Sequence, residues 1–130
     1  MRTLSKPGVA ATFACLTLGA FGMSSGTANA ASCSSITPEI PYKESGAVVA
    51  HAMLNCSGSL PGGWVKSSLI RVRTALPDTK LASNTDYSQN ANGNFNAYAR
   101  GCDSGNYGYK TVADSYLGWT SSSVKVSVAC

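Results

Sequence analysis

Four cysteines constrain the fold of this chain more than any other feature. Cys33, Cys56, Cys102 and Cys130 are spread over the last 100 residues. A domain of that size is close to the limit at which a hydrophobic core alone gives a stable fold, and disulfides are a usual remedy in an oxidising compartment. There is no C-x-x-C pair and one histidine, His51, so the pattern favours two disulfides over a metal site. We therefore expect a small, disulfide-stapled domain without a metal or other cofactor.

The connectivity of the cysteines is not determined by their spacing, because four cysteines allow three pairings. The midpoint between the first two falls in the turn-like segment 43–46, and the midpoint between the last two falls at Tyr116, beside Leu117-Gly118. Antiparallel hairpins folded at these points would bring each pair together. The sequence therefore favours one bond between the first two cysteines and another between the last two.

The first 30 residues have the features of a cleaved secretion signal. A basic start is followed by an apolar stretch over 8–23 and by the small-x-small motif Ala28-Asn29-Ala30, which signal peptidase recognises. The apolar stretch is interrupted by glycine and is shorter than the roughly 20 residues that a membrane-spanning helix needs. We expect residues 1–30 to be removed, leaving one secreted domain, 31–130, with no membrane attachment.

The mature domain would be only mildly basic. The chain has ten basic and six acidic residues, and the signal contains two basic residues and no acidic ones, which leaves a net charge of +2. The basic residues are scattered along the sequence, whereas nucleic-acid-binding proteins gather Lys and Arg to contact phosphates. We therefore expect no nucleic-acid partner. Arg71 and Arg73 are close together, and we interpret them as a solvated strand face, with an anion-binding pair as the alternative.

Short strands and turns fill the mature chain. Apolar residues occupy both faces of segment 48–56, which predicts a strand covered on both sides. Alternating patterns predict further strands at 64–76, 94–102, 107–114 and 124–130. The polar tract 83–93 is predicted to be a long loop, with a poor edge strand as the alternative. Together these patterns predict an all-β fold, a small antiparallel β-sandwich that is immunoglobulin-like or a small barrel.

The sequence contains no recognisable catalytic site. Nucleophilic catalysis needs a base beside a serine or cysteine, and the one imidazole, that of His51, lies in the middle of a predicted strand. We interpret it as a hydrogen-bonded structural residue. The acidic residues lie mostly in predicted turns, and a domain of this size leaves little room for a cleft between two carboxylates. The expectation is a non-catalytic protein.

Aromatic residues are the better candidates for recognition, since Trp and Tyr combine a large apolar area with a polar tip. Tyr107 and Tyr109 share one face of a predicted strand, and Trp64 and Trp119 lie near predicted turns. These four are the candidate partner-binding residues, and core packing is the competing interpretation. The segment 36–42 contains two prolines and is interpreted as a stiff connector, with an arm that pairs with another protein as the alternative.

Three features together resemble small secreted four-cysteine β-proteins of actinobacteria: the Ala28-Asn29-Ala30 junction, the four mature cysteines and the ending Val126–Cys130. Within that set the chain looks somewhat like the adaptor subunits of umbrella-shaped secreted toxin particles, which join a lectin-bearing subunit to a large toxin subunit. It is equally similar to disulfide-stapled enzyme inhibitors from the same bacteria.

These resemblances imply an extracellular protein-interaction module whose partners are other secreted proteins. The leading hypothesis is an adaptor subunit of a secreted antibacterial toxin complex. The alternatives are an inhibitor of a protease or glycosidase and, third, a carbohydrate-binding module.

Overall fold

The computed structural model describes residues 31–130, and the expected signal, residues 1–30, lies outside the described part. Within those residues, nine strands form two antiparallel sheets that are not closed into a barrel, so the predicted all-β sandwich is confirmed. None of the described residues forms a helix long and apolar enough to cross a membrane. The strands are β1 Ser32–Pro38, β2 Tyr42–Glu44, β3 Ala47–Ser57, β4 Val65–Val72, β5 Thr79–Asp86, β6 Phe95–Gly101, β7 Asn106–Ser115, β8 Thr120–Ser122 and β9 Val126–Ala129.

Each sheet is built around a long strand and has one edge made of two short strands. In sheet 1, β3 pairs with β6 on one side and with β1 and β2, in succession, on the other. In sheet 2, β4 lies between β5 and β7, and the far side of β7 pairs first with β9 and then with β8. A short break therefore divides each of these edges, between β1 and β2 and between β8 and β9.

The core lies between the sheets, and small residues at its centre let the sheets approach closely. Alanines of β3 and β6 are paired directly, Ala50 with Ala99 and Ala52 with Ala97. The hydroxyl of Ser67, on β4, donates to the Ala50 carbonyl oxygen at 2.7 Å, which satisfies a buried polar group across the core. Larger side chains fill the space on either side: Val48, Leu54, Val65, Leu69, Phe95 and Tyr109.

The two disulfides have the connectivity that the sequence favours. Cys33 and Cys56 occupy directly paired positions of β1 and β3, within sheet 1. Cys102 follows β6 of sheet 1 and Cys130 follows β9 of sheet 2, so their bond links the two sheets. Both are consistent with an oxidising compartment.

The hairpin turns occur where they were expected. The β2–β3 turn is at Ser45 and Gly46, both with positive φ, which suits a two-residue hairpin. The β7–β8 turn includes Tyr116. The second disulfide, however, does not span a single β7–β8 hairpin, because β9 rather than β8 pairs with the start of β7.

Side chains of β5, rather than backbone hydrogen bonds between strands, connect β5 of sheet 2 to β6 of sheet 1. The Asn84 amide of β5 donates to the Tyr98 carbonyl oxygen of β6 at 3.1 Å, and the Asp86 carboxylate accepts from the Asn96 amide N–H at 2.9 Å. These bonds satisfy the backbone of β6 that would otherwise pair with another strand. They hold β5 and β6 together without completing a barrel.

Some element boundaries differ from the predictions. The strand expected over 64–76 ends at Val72, because the chain turns through 73–78 and the Arg73 N–H donates to the Asp78 carboxylate at 3.1 Å. In the polar tract, 83–86 belongs to β5, so the edge-strand alternative holds for that part. The segment 36–42 pairs with β3 at both ends, which contradicts the arm hypothesis.

Candidate interaction surface

The outer face of sheet 1 carries two exposed tyrosines above a buried layer. Strand register places Tyr42, Val49 and Arg100 in one row and His51 and Tyr98 in the next. Val49 is fully buried and His51 is 8% exposed, whereas Tyr42 and Tyr98 are 38% and 44% exposed. The prediction that β3 is covered on both faces is thus confirmed over this part of the strand. We call the surface formed by Tyr42, Tyr98, Glu44 and Arg100 the tyrosine face.

His51 organises the layer beneath this surface. Its Nδ1 lies 3.0 Å from Glu39 Oε1, its Nε2 lies 2.8 Å from Asn96 Oδ1, and its ring stacks on the Tyr98 ring with centroids 4.3 Å apart. The Glu39 N–H also donates to the His51 carbonyl oxygen at 2.8 Å. Both ring nitrogens are therefore engaged, as in a structural histidine, and no serine or cysteine of residues 31–130 hydrogen-bonds to them.

An ion pair crosses β3 beside the tyrosines. Arg100 donates to Glu44 at 2.8 Å, joining β6 to β2. Desolvation by burial raises the pKa of the Tyr42 phenol, and the nearby Glu44, Tyr98 and Glu39 raise it further, while Arg100 opposes them. Because a phenol is already protonated at neutral pH, these shifts keep Tyr42 uncharged and able to donate as well as accept a hydrogen bond.

The tyrosine pair proposed from the sequence is divided between core and surface. Tyr109 is fully buried, so the expectation that it is an exposed anchor does not hold in this fold. Tyr107 is half-buried beneath the guanidinium of Arg71, whose Cζ lies 3.4 Å from the ring centroid. Arg71 also pairs with Asp103 at 2.9 Å. The interpretation of Arg71 as part of a solvated strand face is therefore wrong, because the side chain packs on Tyr107 at the end of the core.

The tryptophans lie where the chain enters and leaves turns. Trp64 is half-buried just before β4, and its carbonyl oxygen accepts from the Tyr116 N–H at 3.3 Å. Trp119 is 37% exposed in the β7–β8 turn, close in sequence to Leu117, which is 42% exposed. Trp119 thus remains a candidate contact residue at the end of the sandwich, whereas Trp64 is partly occupied in packing.

Two open clefts of about 290 Å³ each lie away from the tyrosine face. One is lined mainly by polar loop residues, including Gln89 and Asn92, and the other by Arg71, Arg73, Leu76 and Tyr107. Within residues 31–130 there is no group of three or more side chains that could hold a metal ion.

No protein-family model, curated protein or solved structure matches the chain. The function is therefore inferred from the geometry of the chain itself. The tyrosine face combines exposed aromatic side chains with a buried layer beneath them, yet neither of its tyrosines was a sequence-based candidate. A signal was present for Tyr98, since the alternation in 94–102 places it opposite the apolar residues of its strand.

Proposed function

We propose that the mature protein is a non-catalytic extracellular interaction module and that the tyrosine face is its principal contact surface. The observation that carries this proposal is that Tyr42 and Tyr98 are exposed while the layer beneath them is fixed. Tyrosine is enriched at binding hot spots. Because stacking on His51 already restricts the Tyr98 ring, little conformational entropy remains to be lost on binding.

The specific role that we propose is an adaptor subunit of a secreted antibacterial toxin complex. An adaptor joins two different partners and therefore needs two different surfaces. The sandwich offers two broad faces of unlike chemistry: sheet 1 exposes tyrosines beside an ion pair, and sheet 2 has exposed and half-exposed lysines. The two disulfides and the signal-like start of the sequence support an extracellular location.

Carbohydrate binding is another candidate, because exposed tyrosines also stack on sugar rings. It is less favoured since the polar side chains beside the tyrosines, Glu44 and Arg100, already bond to each other rather than offering free groups to sugar hydroxyls. An inhibitor of a secreted protease or glycosidase would use the same kind of surface and would differ from an adaptor in the identity of its partner.

The test combines recovery of the native protein with two alanine substitutions. Purification from the culture medium of the producing organism, with identification of bound proteins by mass spectrometry, is expected to yield a stable complex with other secreted proteins. Tyr42→Ala with Tyr98→Ala should weaken capture of that partner by more than about 1 kcal/mol, as truncation of interface aromatics often does. Tyr87→Ala removes a tyrosine that is 69% exposed and lies outside the tyrosine face, and should leave capture unchanged.

Several outcomes would contradict this proposal. A folded double variant that captures its partner as the wild type does would remove the tyrosine face from the interface. A monomer without bound proteins, combined with glycan-array binding that the double variant loses, would favour the carbohydrate hypothesis. Thermal melts of all variants separate loss of contact from loss of fold.

Processing gives an independent check on location. We expect the secreted protein to begin at Ala31 and to contain no free thiol, because all four mature cysteines are paired. N-terminal sequencing and thiol labelling of the unfolded, unreduced protein measure both properties. A secreted protein that begins at Met1, or that takes up label, would refute this expectation.

A further inference from the structure

The lysines that are scattered in the sequence are gathered on the outer face of sheet 2. Ile70, on β4, has Lys80 of β5 and Lys110 of β7 as its two cross-strand partners, so all three side chains project from the same face. Lys66 lies four residues earlier on β4 and shares that face. The stem of Lys125 lies over Gly108, since a Cβ built on that glycine would meet the lysine Cδ at 2.8 Å.

Half of this positive charge is not balanced by carboxylates on the same face. Two carboxylates accompany the four lysines on this face, Asp78 and Asp114. Asp78 lies 3.6 Å from the Lys110 ammonium. The other three lysines have no carboxylate within 4.0 Å among the residues that the structure describes: Lys66, Lys80 and Lys125. On sheet 1, by contrast, Arg100 is paired with Glu44 at 2.8 Å.

The centre of the same surface is apolar. Ile70, Val72 and Val112 lie on this face and are half-exposed, with lysines around them. A partly exposed aliphatic strip with a charged rim is the composition of a protein interface, in which an apolar centre is surrounded by polar groups. Lysines also contact phosphates in nucleic-acid-binding proteins, but those surfaces commonly add aromatic side chains that stack on bases, and no aromatic or arginine side chain projects from this face of strands β4, β5, β7, β8 and β9.

We propose that this surface, the lysine face, docks an acidic partner protein. The face is defined by Lys66, Lys80, Lys110, Lys125, Ile70, Val72 and Val112. Carboxylates of the partner would meet the lysine rim while its apolar side chains cover the aliphatic strip, so that opposite charge guides the encounter and sets the orientation. The proposal rests on the proposed interaction function and assigns the second surface that an adaptor needs.

A defined probe tests the chemistry of the surface before any natural partner is known. The probe is a synthetic peptide of alternating glutamate and valine, titrated into the isotope-labelled mature protein and followed by NMR. We expect the amide resonances of Ile70, Lys110 and Val112 to shift, those of Tyr42 and Tyr98 to stay in place, and affinity to fall as salt is added. A peptide of alternating glutamate and serine should bind at least about fivefold more weakly, because it leaves the aliphatic strip uncovered.

Two matched charge reversals show whether the location matters. Lys80→Glu should weaken binding of the glutamate–valine peptide about fivefold or more at low salt. Lys43→Glu makes the same change in net charge on a strand of sheet 1 and should leave binding unchanged. If both reversals weaken binding equally, the attraction is a property of net charge, and the lysine face is not the site.

Other results would also overturn the proposal. One is that the glutamate–valine peptide does not shift the lysine-face amide resonances, and another is that the glutamate–serine peptide binds equally well. A third is that the protein binds a DNA duplex or phosphatidylglycerol vesicles more tightly than the peptide, in a way that depends on Lys80. The two proposals can fail separately. Peptide binding without any native companion would count against the adaptor function, whereas a native complex unaffected by Lys80→Glu with Lys125→Glu would count against the lysine face.

Discussion

Replacing Cys102 and Cys130 with serine is expected to lower the free energy of unfolding by about 3.5 kcal/mol, the chain-entropy value for a cross-link of this length. The two cysteines are 28 residues apart in sequence. For a domain of about 100 residues such a loss lowers the melting temperature by roughly 15 to 25 °C. The effect should be a large fraction of the total stability of so small a domain.

The same substitution should also release the end of the chain. β9 has four residues and pairs with β7 at a sheet edge, and the Cys130 N–H donates to the Gly105 carbonyl oxygen at 2.9 Å beside the disulfide. Without the covalent link this short strand has little to resist fraying. Amide exchange in β9 should therefore become faster in the variant, by more than the change in global stability accounts for.

Calorimetry and hydrogen exchange measure the two effects. The matched control is Cys33→Ser with Cys56→Ser, which removes a cross-link of similar length between strands that are already paired by hydrogen bonds. It should lower the melting temperature to a similar extent while leaving the relative protection of β9 unchanged. A Cys102→Ser, Cys130→Ser protein that melts at the wild-type temperature would show that this bond is not a structural staple.

The fold class is predictable from the sequence because it depends on local patterns. The apolar run 48–56 and the alternation in 94–102 predict β3 and β6, and the turn residues between strands predict hairpins. The same local features favour the observed disulfide pairing, although the Cys102–Cys130 bond forms because β9, and not β8, returns to the start of β7. β5 is missed in part because an edge strand that buries only one side contains polar residues such as Ser83 and Asn84, which resemble a loop.

The candidate surfaces depend on strand register, which is not local. Lys80 and Lys110 are neighbours across Ile70 although thirty positions separate them in sequence, and no periodicity within either strand indicates this. For the same reason Tyr42 and Tyr98 lie on one face, on either side of β3, without a sequence signal that connects them. The sequence places each side chain on a face of its own strand, but tertiary pairing decides which faces are combined.

The alternation in β7 places Tyr107 and Tyr109 on one face of the strand, but it does not show whether that face lies in the core or on the surface. Both tyrosines of β7 lie on the side that faces sheet 1, and Tyr109 reaches the centre of the core cluster with Leu69 and Ala99. Tyr107 lies nearer the end of the sandwich, where Arg71 covers it. The two tyrosines differ in how far they lie from the end of the sandwich, and alternation carries no information on that distance.

Truncation of Tyr109 to alanine is accordingly expected to destabilise the domain by about 3 to 5 kcal/mol, the range found when large buried aromatic side chains are removed. The side chain is fully buried, so its loss leaves a cavity that closes only if the two sheets move together or neighbouring side chains repack. In a domain with a total stability of about 5 to 15 kcal/mol, such a variant would be close to unfolding at physiological temperature. Urea titration followed by tryptophan fluorescence measures the change.

Tyr109→Phe is the matched control, because it keeps the ring and removes only the hydroxyl. That hydroxyl has one weak contact, a hydrogen bond from the Asp103 N–H at 3.4 Å, so the expected loss is below about 1 kcal/mol. A large difference between the two variants therefore reports burial of the ring. If Tyr109→Ala instead melted like the wild type while partner capture fell, Tyr109 would be a surface anchor and the core described between the two sheets would be wrong.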